Sequence, residues 1–249
     1  MKSIFYKILD IIYPENIKCI ICNKSISKNN TYSLCKDCFN ELNFINDGCI
    51  KCGKTILNET IETLKPEDLL NGCPSCINKT YYFEKAIGCI EYSETSKKIV
   101  FGFKYNDKTF MSNIISKIMK EKLDTQNINY DYILYVPLHK KRERKRGFNQ
   151  SKLIAKKLGK IENIKVLDSI YRNKNTTKLF KLTNEERSRE VKNAFGFYKS
   201  IDLCKNKNVL LIDDIFTTGS TVNEISKMLK LKGVKKIYIC TFLTRINCY

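Results

Sequence analysis

Eight of the twelve cysteines stand in four C-x2-C pairs, Cys19/Cys22, Cys35/Cys38, Cys49/Cys52 and Cys73/Cys76. No other feature constrains the first third of the chain so strongly. Two thiolates three residues apart can face one tetrahedral metal ion when the backbone between them turns tightly. Four redox disulfides in so short a stretch would be an odd alternative, so the spacing favours zinc. The segment also repeats itself. CIICNKSI (19–26) aligns with CIKCGKTI (49–56), and CKDCFN (35–40) matches CPSCIN (73–78) loosely. After the second Cys of each leading pair stands Asn23 or Gly53, the types that best tolerate the left-handed backbone of a metal knuckle. The expectation is two sequential sites, one from Cys19, Cys22, Cys35 and Cys38, the other from Cys49, Cys52, Cys73 and Cys76. Interleaved ligation, or loss of metal from the second site with its longer spacer, stays open. All-thiolate sites are closed to substrate, so one or two structural Zn²⁺ ions are expected. A module this small has little core, and metal would supply much of its folding energy.

Charge divides the chain at the same place. Residues 1–80 carry ten Lys/Arg against nine Asp/Glu, whereas residues 81–249 carry 35 against 17. A basic second part suits anionic partners, either nucleotide-like metabolites or nucleic acid. Lys supplies 38 of the 45 basic residues, and Lys, Asn and Ile abound throughout, so AT-rich coding bias accounts for part of the excess. The division expected is 1–80, a helix plus the four-cysteine zinc-binding module, and 81–249, an α/β domain. Ile4, Phe5, Ile8, Leu9 and Ile12 share one face of a short N-terminal helix that would pack on the body. Lys2, Lys7 and Asp10 break its apolar run, no cleavage site follows, and no segment reaches the length of a membrane span. The expected compartment is the cytoplasm.

Beyond residue 81 strand patterns alternate with helical ones. Strands are expected at 86–92, 132–138, 165–171, 195–198, 208–213 and 234–245. Helices are expected at 94–105, 108–123, 151–159 (ended by Gly159) and 220–233 (ended by Gly233). This alternation argues for an α/β fold, a parallel sheet flanked by helices. Ligands of such sheets bind beyond the carboxyl ends of the strands. There the sequence reads VLLIDDIFTTGST (209–221). A buried strand leads to Asp213 and Asp214, then to Thr217, Thr218, Gly219, Ser220 and Thr221 at the start of a helix. Small residues let backbone amides approach a phosphate, hydroxyls add donors, and the helix dipole favours an anion. Two carboxylates can accept hydrogen bonds from vicinal sugar hydroxyls. The plainer alternative is that the acids turn the chain while Ser220 or Thr221 caps the helix.

VLLIDDIFTTGST resembles the signature of type I phosphoribosyltransferases. VPLHKKRERKRGFNQS (136–151), LTNEER (182–187), NAF (193–195) and the Cys pairs narrow the resemblance to the ComF competence-protein family, over nearly the whole chain. The resemblance implies a type I phosphoribosyltransferase-like fold. It implies that Asp213 and Asp214 hold the ribose hydroxyls of phosphoribosyl diphosphate and that residues 217–221 hold its 5-phosphate, with Mg²⁺ accompanying the ligand. It also implies a pyrophosphate side near His139 and Lys140, with Lys104 a weaker match. The run 139–146 holds six cations and one anion; alone it reads as a solvated loop, and beside a pyrophosphate it would steer anions. Residues 172–192 are polar without periodicity and fit the segment that closes over substrate in such enzymes. Leu179 and Glu190 stand where the family has Gln and Asn, which puts transfer efficiency in doubt.

A zinc-stabilised scaffold with no ligand chemistry is the least favoured reading, because the motif from Asp213 to Thr221 is intact, and two other functions compete. One is an accessory for DNA uptake in natural transformation, with single-stranded DNA and a competence helicase as partners and a phosphoribosyl diphosphate site that senses. The other is an active phosphoribosyltransferase with an unidentified acceptor.

Overall fold

Residues 18–56, 72–76, 79–105, 109–175 and 183–245 are described by the structure, a computed structural model. The helix expected at the N-terminus, Leu179 and Cys248 lie outside these residues, as does the side chain of Lys104.

The elements run in the order α1 (Lys36–Asn40), β1 (Lys85–Glu91), α2 (Glu94–Tyr105), α3 (Met111–Asp124), β2 (Tyr132–Tyr135), α4 (Lys140–Arg146), α5 (Gln150–Glu162), β3 (Ile170–Arg172), α6 (Asn184–Val191), β4 (Phe195–Phe197), β5 (Asn208–Phe216), α7 (Ser220–Leu231) and β6 (Lys236–Thr244). Four strands form an all-parallel sheet in the order β1-β6-β5-β2, and β3 pairs antiparallel with β4 in a separate ribbon.

Strand alternation sorts β5 onto two cores. Leu210 and Ile212 pack with Met111, Ile115 and Met119 of α3 and with Ile154 and Leu158 of α5. Val209 and Leu211 pack with Val222, Ile225 and Leu229 of α7. All four β5 residues are fully buried, as a strand covered on both faces requires. The same division extends to the cysteines: Cys19, Cys35 and Cys38 join the first core, and Cys49, Cys52, Cys73 and Cys76 the second.

The cysteine-rich segment also covers the free edge of β1. The Ile45 amide donates to the Cys89 carbonyl at 3.0 Å, Glu91 to Asn43 at 2.9 Å, and Ala86 to Lys51 at 2.8 Å. An exposed strand edge is thereby satisfied. Gly53 is required at this junction, because its φ is +68° and a Cβ would lie 2.5 Å from the Ala86 carbonyl oxygen.

Several boundaries differ from the sequence expectation. Gly159 does not end α5. The helix runs on to Glu162, and Asn163 at φ 55° terminates it. Gly159 serves close packing instead: a Cβ there would meet Val166 Cγ2 at 2.5 Å. The strand expected at 132–138 stops at Tyr135. Of 165–171, only Ile170 onward is strand, while Val166 makes an isolated bridge to Ile133. The basic run is helical rather than a loop, capped by His139 in front and by left-handed Gly147 behind. Within the aperiodic 172–192 stretch, α6 forms behind a capping box between Thr183 and Glu186, so local capping replaces amphipathic patterning as its organiser.

Candidate ligand pocket and metal centres

Each of the two leading Cys pairs makes the same knuckle. Cys19 N–H donates to Lys24 O at 2.8 Å and Asn23 N–H to Cys19 O at 2.9 Å; Cys49 N–H donates to Lys54 O at 2.7 Å and Gly53 N–H to Cys49 O at 2.9 Å. Asn23 and Gly53 both have positive φ, at 61° and 68°. The internal duplication is thus structural as well as sequential. In both clusters all four sulfurs lie within 4.8 Å of one another. Four thiolates around zinc at the usual bond length stand about 3.8 Å apart. The separations are 3.6 Å for Cys22–Cys35, 3.9 Å for Cys49–Cys76 and 3.6 Å for Cys52–Cys73. Both clusters therefore fit tetrahedral zinc, sequentially paired. Zinc bound there would close the knuckles covalently; no sulfur position is left for a substrate.

The second centre of interest lies beyond the carboxyl ends of the parallel strands. β5 continues past Ile212 through Phe216, so Asp213 and Asp214 are strand residues rather than the first residues of a loop; Asp213 is in register with Thr241 of β6. The acids are therefore held by the sheet. Asp213 Oδ1 accepts from the Ser151 hydroxyl at 3.0 Å and from the Asp214 amide at 2.9 Å.

The chain then turns through Thr217–Gly219 into α7. Gly219 occupies the cap position at φ 78° and offers no side chain, while the Ser220 amide donates to Thr218 Oγ1 at 3.4 Å. A Cβ on Gly219 would lie 2.6 Å from the Phe216 ring. Neither Ser220 nor Thr221 is the cap, contrary to the plainer sequence alternative. The Thr218 and Ser220 hydroxyls are 2.8 Å apart. Asp213, Ile215, Phe216, residues 217–221 and Val222 line one cavity together with Arg187. The sheet thus brings Asp213 and the five small loop residues to one concavity, with hydroxyls and the N-terminus of α7, whose first amide donates to Thr218 Oγ1, converging on it. Such a surface can receive a phosphate.

The RGFNQS segment supports this site from behind. Gly147 ends α4, and Phe148 stacks near Phe103 with centroids 5.5 Å apart. Asn149, 4% exposed, caps α5 by accepting from the Lys152 amide and donates to the Val136 carbonyl at 3.1 Å. Gln150 takes a hydrogen bond from Arg146, and Ser151 reaches Asp213. The motif connects the end of β2 to the acid on β5.

The other expected anion contacts are less close-knit. His139 Nδ1 accepts from the Lys141 amide at 3.2 Å, which commits that nitrogen to the cap of α4. Lys140 is exposed. Two arginines escaped the sequence reading. Arg172 is 8% exposed and stacks 5.1 Å from the Phe195 ring centroid, and its backbone bridges His139. Burial first, then the charge of Arg142, pushes its pKa down to about 10, while Asp213 and Glu190 act the other way. Arg187 is also 8% exposed and lines the cavity itself. It lay within LTNEER, but a lone Arg in a polar stretch carries no periodic signal. Glu190 is 3.6 Å from Lys174, a pairing that Asn would not make.

Both centres lie in segments that match known domains. The model of the double zinc ribbon domain matches residues 8–77, and that of the phosphoribosyl transferase domain matches residues 144–249. Competence protein F of Haemophilus influenzae is 27% identical over 232 residues, covering 90% of this chain and 95% of that protein. Competence protein ComFC of Streptococcus pneumoniae is 24% identical, covering 89% and 97%. The DNA utilization protein YhgH of Escherichia coli K12 is 25% identical over 173 residues, covering 67% and 75%. No helix among the described residues is long and apolar enough to cross a membrane. Paired four-cysteine knuckles, a parallel sheet ending in an acidic pair and small-residue loop, and similarity to competence proteins over about nine-tenths of its length make this chain similar to the ComF proteins, a double zinc ribbon domain followed by a phosphoribosyl transferase domain.

Proposed function

We propose that the chain binds phosphoribosyl diphosphate with Mg²⁺ at the end of β5 and acts as a DNA-handling accessory in DNA uptake. In this reading Asp213 and Asp214 accept from the ribose hydroxyls. Thr217, Thr218, Gly219, Ser220 and Thr221 receive the 5-phosphate. The pyrophosphate lies towards His139, Lys140 and Lys104. Residues 1–80 serve as the zinc module and residues 81–249 as the ligand-binding domain. One observation carries the reading: Asp213 and the N-terminus of α7 line the same cavity.

The side chains can bind and orient the ligand. The Ser151 hydroxyl fixes one face of Asp213, and the α7 N-terminus faces the anion. Mg²⁺ would supply charge neutralisation at the diphosphate. Transfer to an acceptor is the alternative reading, and Leu179 in place of Gln and Glu190 in place of Asn are the sequence features against it. The DNA role rests on the names of the relatives and on α4, a seven-residue helix with six cations, of which Lys140, Lys141, Arg144 and Lys145 are exposed. Such a helix would track a phosphate backbone without reading sequence.

Titration with Mg²⁺ and phosphoribosyl diphosphate tests the first half. Saturable binding that is lost on joint Asp213→Ala and Asp214→Ala substitution is expected; binding indifferent to both would overturn it. Titration with single-stranded DNA at several salt concentrations tests the second. The affinity should fall linearly on a log–log plot, less steeply after Arg144→Gln with Lys145→Gln. An affinity independent of salt would remove the phosphate-tracking role.

A further inference from the structure

We infer that Arg187 on α6 is the cation that receives the terminal phosphate monoester in the pocket of residues 217–221, and that it makes the site selective for a 5-phosphorylated ribose. The inference rests on the proposed phosphoribosyl reading and assigns it a residue from outside the loop.

The 217–221 loop is neutral: it offers hydroxyls, amides and a helix dipole but no charge. A phosphate monoester at neutral pH carries close to two negative charges, and dipole and hydroxyls alone leave much of that uncompensated. Arg187 is the basic side chain lining the cavity with that loop. Its helix lies beside α7 and is fixed by two contacts. The capping box of Thr183 and Glu186 starts α6, and Glu186 directly precedes Arg187. At the far end the Asn193 amide donates to Glu224 of α7 at 3.3 Å. The arginine is therefore presented from a structured element, and it is held to the same helix whose N-terminus faces the cavity.

Arg187 is 8% exposed, so most of its side chain is held away from bulk water. Burial and the charge of Arg245 both hold the Arg187 pKa below its ordinary value. Arg245 is itself tied to the site, its amide donating to the Phe216 carbonyl at 2.8 Å. The Arg187 guanidinium, lining the cavity with the hydroxyls and amides of the loop, is placed to meet an incoming dianion. The planar fork of Arg187 suits a phosphate better than a lysine would.

The test uses the full zinc-loaded protein with ribose 5-phosphate, ribose and Mg²⁺–phosphoribosyl diphosphate as probes. Arg187→Met retains the apolar stem and removes the charge. It should weaken ribose 5-phosphate and phosphoribosyl diphosphate by more than about tenfold each, the scale of a lost charge-assisted hydrogen bond. It should also reduce the preference for ribose 5-phosphate over ribose. Arg189→Gln, an exposed neighbour on the same helix, should leave both affinities within twofold. A folded R187M that binds both phosphorylated probes within twofold of the wild type overturns the inference. If R187M does not fold, Arg187→Lys decides. It keeps the charge but loses the fork and should bind severalfold more weakly, and undiminished binding overturns the inference. Failure of the wild type to bind any probe is a different outcome, since it removes the phosphoribosyl reading itself.

Discussion

Ser151 in the first turn of α5 donates its hydroxyl hydrogen bond to Oδ1 of Asp213, 3.0 Å away and 62 residues later in the chain. The same oxygen takes the Asp214 amide, so one carboxylate oxygen is occupied by protein donors and the other is oriented by them. Ser151→Ala should leave the fold intact, since an alanine fits the first turn of a helix. It should weaken Mg²⁺–phosphoribosyl diphosphate binding by roughly three- to tenfold, the range of one ordinary hydrogen bond. Calorimetric titration of the two proteins measures this. Equal affinities would mean that the sheet alone orients Asp213.

Gly219 carries a different constraint. Its φ of 78° is left-handed, and its missing Cβ leaves room for the Phe216 ring. Gly219→Ala should cost about 1–3 kcal/mol, from backbone strain plus the displaced ring. Because Phe216 lines the same cavity, ligand affinity should fall together with the melting temperature. A variant with native stability and affinity would show that the loop relaxes freely.

The ease of reading these residues from sequence differed for physical reasons. The β5 strand was legible because Val209 to Ile212 are buried on both faces and form an unbroken apolar run. Its continuation through Asp213 and Asp214 was not legible. Two acids look like a strand end, and only pairing to β6 keeps them in the sheet. The knuckles were legible because Asn23 and Gly53 meet a backbone requirement set locally by the metal turn. Gly159 misled because glycine signals a helix end, whereas here its reason is distant in sequence, the approach of Val166. Arg172 and Arg187 were silent because buried arginines are defined by tertiary neighbours, and neither stands in a period or spacing that announces burial.

The two metal centres should release zinc at different rates. Cys22 is exposed, whereas all four cysteines of the second cluster are buried. A competing chelator should therefore draw about two equivalents of zinc in two phases. Cys22→Ser should abolish the fast phase and leave the slow one. Loss of the second zinc should be the more damaging, because that cluster belongs to the core that holds α7 and the phosphate loop. Circular dichroism followed alongside zinc release checks the order; a single phase, or unfolding coincident with the first equivalent, would contradict it.

Acid sensitivity should arise in part at the join of β2 and β5. Asp131, just before β2, accepts from the Asn208 amide at 2.8 Å and from Lys207 Nζ at 3.2 Å. The Asn208 amide first, then Lys207, holds this carboxyl below its ordinary range. A folded-state pKa that is depressed contributes stability above the unfolded value, about 3.9, and loses it as pH falls through the folded value. The group is solvent-facing, so salt screens the effect. Asp131→Asn keeps an acceptor for Asn208 but removes the charge. It should lower the melting temperature at pH 7, and the gap from wild type should close as the pH drops below about 4. Melting curves from pH 7 to pH 3 at low and high salt measure this directly. A gap that persists unchanged at pH 3 would place the effect of the substitution in packing rather than in the charge of Asp131.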